Sequence, residues 1–374
     1  GEPPAGAAVK TLHVEAGMHL YGGALQVVFL LQGLRARGEE AVLVCPRGSA
    51  IAAAARQHAA RVHEIDMKGD LDIGLMGRLR RLIRAERPDI VHLHSRRGSD
   101  LWGGVAARRE GVPAVLSRRV DNPEPRWWVS RKYRLYARVI AISNGIREVL
   151  LAEGVPPERV VCVHSAVDTK RYRPGRAGRA WLRTEFGLAG DELTLAMAAQ
   201  FIARKGHRTL LAALPSVLAA HPRTRVLLFG QGPELETVRR LVNQAGLAER
   251  VVFAGFRSDL ERVLPCVDVM VHPAEMEGLG VALLQAAACG LPIVAGRAGG
   301  IPEIVRPGLN GELIEPGDAA ALAAHLVRLL GDEALRERYG AAGRELALRE
   351  FSLDAMVDGN REVYRAVLAA RAPR

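Results

Sequence analysis

Cysteine is scarce: Cys45, Cys162, Cys266 and Cys289 are scattered through 374 residues without metal-ligand spacing. That usage suits buried thiols in a reducing cytosol. No run of roughly 18 or more apolar residues occurs, so no transmembrane helix is expected. The first ten residues, GEPPAGAAVK, lack the apolar region of a signal peptide. No G-x-G-x-x-G follows the first apolar run, so the dinucleotide fingerprint is missing. No Asp-x-Asp stands after a strand where it would hold a metal, and no zinc-finger or RNA-recognition signature appears.

What is present is ordinary for a globular chain, with 49% hydrophobic and 25% charged residues. The length allows two to three domains, each with its own core. The formal net charge of +11 favours anionic partners such as nucleic acid, a phospholipid surface or a phosphorylated substrate. A basic surface with no dedicated partner is the competing reading, since the charge is spread over many helices rather than gathered in a tail.

Short β-prone runs alternate with helical periodicity. Strands are expected at 9–14, 40–45, 89–94, 112–117, 138–143 and 160–164, with helices at 24–37, 73–86, 100–110 and after Asn144. A polar, turn-rich stretch at 168–175 reads as the start of a linker. The alternation then resumes, with strands at 193–198, 225–229 and 251–254 and helices at 206–220 and 234–245. The last helices are expected at 319–330 and 353–370. Such alternation predicts parallel, doubly wound α/β sheets in two domains.

The most informative segment is 272–305. A buried strand at 267–272 leads into the turn Glu277-Gly278-Leu279-Gly280, a helix over 281–289 stopped by Gly290, a strand opened by Pro292, and the turn Gly299-Gly300. Bare amides at a helix N-terminus after a glycine turn bind anions. A carboxylate there, Glu277, cannot hold phosphate and is read as holding a hydroxylated group beside it. Phosphate next to hydroxyls describes a nucleotide sugar.

This segment resembles the donor-site signature of the family-4 retaining glycosyltransferases, in which one Glu is followed eight positions later by another within E-G-F-G-x-x-x-x-E-A-M-A-C-G-x-P-V-V-A. The first acid is Glu277 and the second position is Gln285. The resemblance extends over nearly the whole chain. It implies a GT-B fold, two facing Rossmann-like doubly wound domains with an interdomain cleft. An acceptor-side domain would span 1–172 and a donor-binding domain 173–352, with the terminal helix at about 353–374 crossing back onto the first. It also implies transfer of a sugar from a nucleoside diphosphate sugar (UDP- or GDP-type) to an acceptor hydroxyl. The anomeric configuration would be retained, and the leaving diphosphate would help to deprotonate the acceptor.

Carried over residue by residue, the resemblance gives Gly22 and Gly23 as the loop near donor phosphate, although a plain helix-start turn fits as well. Arg204 and Lys205 would neutralise the diphosphate; Lys205 matches the pattern G-R-x-x-x-x-K-G, whose Arg and Gly positions are Gln200 and Ala199 here. With these cations no metal or other cofactor is expected. Gly230, Gly232, Phe256 and Arg257 would flank the nucleotide. Glu277, Gly278, Leu279, Gly280 and Val281 would hold sugar and phosphate, and Gln285 would meet the ribose. An amide there accepts one bond and donates another, but cannot make two charge-assisted ones.

Where relatives carry a His, this chain aligns Arg119, which cannot act as a base. It would clamp an anionic acceptor or the departing diphosphate, with Asp121 orienting the acceptor hydroxyl. His94 is expected to face the cleft; His92 shares its strand parity, so one of the two is read as core. Arg96, Arg97, Arg118 and Trp127 fall in the acceptor lobe. Basic residues beside Trp127-Trp128 suit a glycolipid at an anionic membrane, or else the pair packs under a loop. Together these expectations describe a cytoplasmic enzyme, peripheral on the inner face of the plasma membrane, in bacterial envelope glycan or lipopolysaccharide assembly. A nucleotide-sugar epimerase or hydrolase of this fold and a non-catalytic sugar-nucleotide or glycan-binding protein are the alternatives. Nucleic acid, which rests on charge alone, is not expected as a partner.

Overall fold

Short apolar runs become strands buried on both faces, as a parallel sheet covered by helices requires. A computed structural model describes residues 8–20, 22–96 and 98–371. The chain forms two units, one ending at Ala166 and resuming at Leu353, the other spanning Val167–Ser352.

The first unit contains β1 (Lys10–Val14), β2 (Glu40–Pro46), β3 (Arg61–Ile65), β4 (Ile90–Leu93), β5 (Ala114–Arg118), β6 (Arg138–Ala141) and β7 (Val160–Cys162). They make a parallel sheet in the order β3-β2-β1-β4-β5-β6-β7. Its core joins Leu30, Leu31 and Leu34 of the helix Gly23–Ala36 to Leu43, Ile90 and Ile140 of the sheet. The terminal helix Leu353–Arg371 adds Val357, Val363 and Tyr364 to the same core.

The second unit contains β8 (Leu193–Ala198), β9 (Thr224–Phe229), β10 (Val251–Gly255), β11 (Val269–His272), β12 (Ile293–Gly296) and β13 (Gly311–Ile314). Their order is β10-β9-β8-β11-β12-β13, again parallel. Both units are doubly wound, and each reverses its strand order once, between β1 and β4 and between β8 and β11. Loops leaving the carboxyl ends of the strands at such a reversal form the natural binding crevice of the fold.

Several features differ from the sequence expectation. The first unit has a seventh strand, β3, whose polar sequence RVHEI lies at the sheet edge. Its Arg61 and His63 both bond the buried Glu86 at 2.8 Å, so ionic contacts replace the apolar signal. The helix Glu333–Glu350 was not expected either, because its inward positions include Gly340 and Gly343. A Cβ on Gly340 would stand 2.1 Å from the Gly290 carbonyl oxygen, so backbone proximity fills the place of large side chains. Finally, the first unit ends at Ala166 rather than Tyr172. The Val167 amide bonds the Phe351 carbonyl, and Arg344 donates to the carbonyls of Thr169 and Tyr172 at 2.9 Å, which ties 167–172 to the second unit.

Candidate active site

In the second unit, the loops after β8 and β11 are knitted together at the strand reversal. The Glu275 amide donates to the Arg204 carbonyl at 2.8 Å. A Cβ on Gly206 would lie 1.9 Å from the Pro273 carbonyl oxygen, so only glycine lets the two segments approach. This contact brings Lys205 Nζ to Glu277 Oε2 at 2.7 Å. His272, the last residue of β11, donates from Nε2 to the same oxygen at 3.0 Å. Among the described residues, Glu277 Oε1 takes a bond only from the neighbouring Gly278 amide, at 3.2 Å. Burial pushes this carboxyl up, but the His272 and Lys205 contacts outweigh it and hold Glu277 down to about 2. Near neutral pH the group is an acceptor with lone pairs to offer.

The helix Val281–Ala288 starts directly after this carboxylate. Gly280, at φ 97°, caps it without a side chain, and no acidic residue lies in its first turn. Its positive end is therefore open to an anion. Gln285 is half-buried on the same helix face as Val281, while Leu279 is buried. Arg204 and Gln200 are exposed. The turn after β9 packs on the loop after β8, where Phe201 bonds the Gln231 carbonyl at 2.9 Å. Gly230 and Gly232 leave no room for a Cβ against the carbonyls of Ala199 and Phe201. Phe256 is exposed. Arg257 is bound to Asp259 at 2.9 Å and Glu185 at 2.7 Å, and so is engaged within its own unit.

Two histidines of this region were not singled out from the sequence. His272 holds Glu277. His207, the residue after Gly206, stacks on Phe201 with ring centroids 4.3 Å apart, and burial lowers its pKa to about 4. Both His207 nitrogens and His272 Nδ1 are buried without a hydrogen-bond partner among the described residues. Position offers the usable signal: His272 opens the glycine-turn segment and His207 follows Lys205-Gly206.

In the first unit, the strand reversal carries a run of imidazoles. Parallel register sets His13 of β1 beside His92 of β4. His13 Nδ1 meets His94 Nε2 at 2.8 Å and His13 Nε2 meets Thr11 Oγ1 at 2.7 Å. His92 bonds Tyr364 at 2.5 Å and Ser117 at 2.7 Å. Arg119 Nη2 reaches His94 Nδ1 at 3.2 Å. His94, expected to face the cleft, is 2% exposed, and both its nitrogens are taken. Potential ligand atoms of His13, His92 and His94 lie within 4.8 Å of one another. All six ring nitrogens already have protein partners, so a metal would have to displace several bonds at once. Burial lowers all three pKa values, that of His13 to about 3.

Arg118 is also corrected. It is 1% exposed and closes the 118–124 loop by donating to Val120 and Asn122 carbonyls, Tyr133 and Glu124. It braces the loop and has no face left for an acceptor. Arg96 pairs with the same Glu124 at 3.3 Å. Asp121 is half-buried, and Arg97 lies outside the described residues. Trp127 is 66% exposed and meets Trp128 edge-on at 6.0 Å, so it is not packed under a loop. Gly22 (φ 58°) has open space around it, whereas Gly23 lies against Arg119.

The family described as Glycosyltransferase Family 4 matches residues 21–171, and that described as Glycosyl transferases group 1 matches 180–346. A GDP-mannose-dependent alpha-(1-6)-phosphatidylinositol monomannoside mannosyltransferase of Mycolicibacterium smegmatis is 36% identical over 289 residues, covering 70% of this chain and 75% of that one. A D-inositol 3-phosphate glycosyltransferase of Acidothermus cellulolyticus is 30% identical, with 81% and 74% covered. Among solved structures, Anabaena HepE in complex with UDP and glucose superposes with a TM-score of 0.83 at 21% identity, covering 96% of this chain and all of that one. No described helix is long and apolar enough to cross a membrane.

Proposed function

The chain belongs to the family-4, group 1 glycosyltransferases of the GT-B fold, and from that premise we propose that it moves a sugar from a nucleoside diphosphate sugar to an acceptor hydroxyl with retention of configuration. The observation that carries this reading is the Lys205–Glu277–His272 knot beside the open helix start at Val281. A carboxylate held ionised by two donors, with its second oxygen nearly free, suits the hydroxyls of a donor sugar. The positive end of the helix and the cations Lys205 and Arg204 suit the diphosphate next to it.

In the transfer, the bond from the anomeric carbon to the phosphate oxygen breaks and its electron pair leaves with the nucleoside diphosphate. The acceptor oxygen bonds to the same face of that carbon, and its proton goes to the leaving phosphate oxygen. Charge grows on the diphosphate as this happens, which is where fixed positive groups lower the barrier. No metal is needed in this scheme. GDP-mannose is named for the mycobacterial relative and UDP is bound by HepE, so both bases belong in the test. Phosphatidylinositol mannoside and inositol 3-phosphate, the acceptors in those relatives' names, extend the acceptor panel beyond lipopolysaccharide and other envelope glycans. The exposed Trp127 and the basic first unit support work at an anionic membrane surface on its cytoplasmic side.

A thermal-shift panel of UDP- and GDP-sugars tests the donor, since a ligand of the native state adds about 2.7 kcal/mol of stability at a hundredfold over Kd and so raises the midpoint. One class of sugar nucleotide is expected to shift wild type, and Lys205→Ala to lose most of the shift. No shift with any nucleotide at millimolar concentration, or complete conversion of the donor to free or epimerised sugar in the presence of acceptor pools, removes the transferase reading.

A further inference from the structure

Arg119 has no acidic partner among the described residues. Its one hydrogen bond goes to the neutral ring of His94, and its Nε is buried without a partner among the described residues. No described residue forms an ion pair with it; Glu15, an acid whose charge acts on it, bonds the Gly17 amide at 2.8 Å. The contrast with the other cations of this region is sharp. Arg118 has Glu124, Arg96 has Glu124, and Lys132 has Asp100 and Glu124. A largely enclosed guanidinium without a counter-ion is costly unless something anionic meets it.

The protein fixes this cation in place. An arginine donates only, so His94 Nδ1 accepts and His94 Nε2 carries the proton. His94 Nε2 then donates to His13 Nδ1, and His13 Nε2 donates to Thr11 Oγ1. The tautomers of both rings follow from Arg119 at one end of the chain, which makes His13 and His94 positioning residues. On its other side the Arg119 stem lies against Gly23, where a Cβ would stand 2.8 Å from Cδ. Gly23 begins a 14-residue helix with no acidic first-turn residue and no side-chain cap, so helix end and guanidinium add to one positive spot. Arg119 also lines a small hollow with Gln26, Ser117, Ser165 and Asn360. It is the one permanently charged residue there among the described ones.

We infer that Arg119 is the anion receptor of the first unit and that the acceptor carries a phosphate or carboxylate group near its reacting hydroxyl. This rests on the transferase reading for the word acceptor, but not for the anion site itself. Inorganic phosphate is the probe for the site, titrated into the full chain saturated with UDP or GDP so that the donor's diphosphate position is filled. Phosphate is expected to bind still, and to shift the ¹⁵N resonance of His94 Nδ1. Arg119→Gln should weaken it at least tenfold and Arg119→Lys by less, while Lys205→Ala leaves it in place. The Lys variant also serves if the Gln variant fails to fold. Phosphate binding that nucleotide abolishes belongs to the donor and overturns the proposal, as does wild-type phosphate affinity in both Arg119 variants.

A second arm compares a polyol acceptor with its monophosphate. The phosphorylated form should show a KM at least tenfold lower, and Arg119→Gln should erase that preference. Transfer with equal KM to both forms overturns the proposal. Absence of transfer to either counts against the transferase reading, and the phosphate titration still decides the anion site.

Discussion

The two units use one topology and each places a cation at the strand reversal, but Lys205 and Arg119 keep opposite company. Lys205 sits 2.7 Å from an ionised Glu277, with His272 on the same oxygen. Arg119 sits 3.2 Å from a neutral imidazole. A carboxylate cancels the charge it touches and is itself immobilised; an imidazole aims a guanidinium while leaving its charge intact. The second unit is thus built to present a fixed acceptor of hydrogen bonds, and the first to present a positive charge. Glu277→Gln breaks this contrast by leaving Lys205 as unpaired as Arg119. We expect transfer to fall by about 10²-fold or more, the scale of losing a preorganised polar contact in a transition state. Binding of the bare nucleoside diphosphate should hold or tighten, because Lys205 is released to it. Steady-state kinetics and nucleotide titration read the two effects separately. Parallel loss of both would mean that Glu277 serves only to fold the loop.

Acid should act on the units differently. His13, His92 and His94 are neutral in the folded first unit well below their usual titration range, and His207 is the one such histidine described in the second. In the unfolded chain each binds a proton as pH falls through about 6.5. The unfolded state therefore holds more protons, and stability drops as pH falls from about 6.5 towards about 3 for His13 and about 4 for His207. Each histidine contributes up to about 1.4 kcal/mol per pH unit inside its window. The depressed carboxyls, Glu277 in the second unit and Glu86 and Glu124 in the first, each down to about 2, add losses only below about 4.5. Between pH 6.5 and 4.5 the first unit should lose hydrogen-exchange protection ahead of the second. If the second opens first, the His13–His94 chain is not held neutral.

Most of the sheet was legible because parallel strands need continuous apolar runs, and those runs stand between glycine turns. The exceptions are instructive. β3 is polar and survives at the edge through Arg61, His63 and Glu86; β13 begins at Gly311 and has a partly buried Glu312 bonded to Tyr339 at 2.6 Å. The 333–350 helix packs through glycines, which carry no hydrophobic signal. At the sites, Lys205 and Glu277 were marked by residue type and spacing, and they meet. His94 was marked by its place at a strand end and Arg118 by its place in the acceptor lobe, and the fold engages both internally. Their partners come from strand register and distant loops: His13 lies 81 positions from His94, and no local pattern reports such a pairing.

Gln285 gives the mildest way to sharpen the contrast. It lies about one turn into the helix Val281–Ala288, half-buried on the same face as Val281, and an amide offers one acceptor and one donor to a ribose diol. Gln285→Glu would offer two charge-assisted bonds to the diol but bring a second negative charge near the diphosphate. These effects oppose each other, and charge-assisted bonds made directly to the diol act at shorter range than a through-space charge. We therefore expect nucleotide affinity to rise by less than about tenfold, or 1.4 kcal/mol, with the melting temperature little changed. A titration with UDP and GDP showing no change for either would place Gln285 away from the ribose. A loss of affinity would mean that charge next to the diphosphate, rather than the hydrogen bonds of the sugar, decides what this helix can carry.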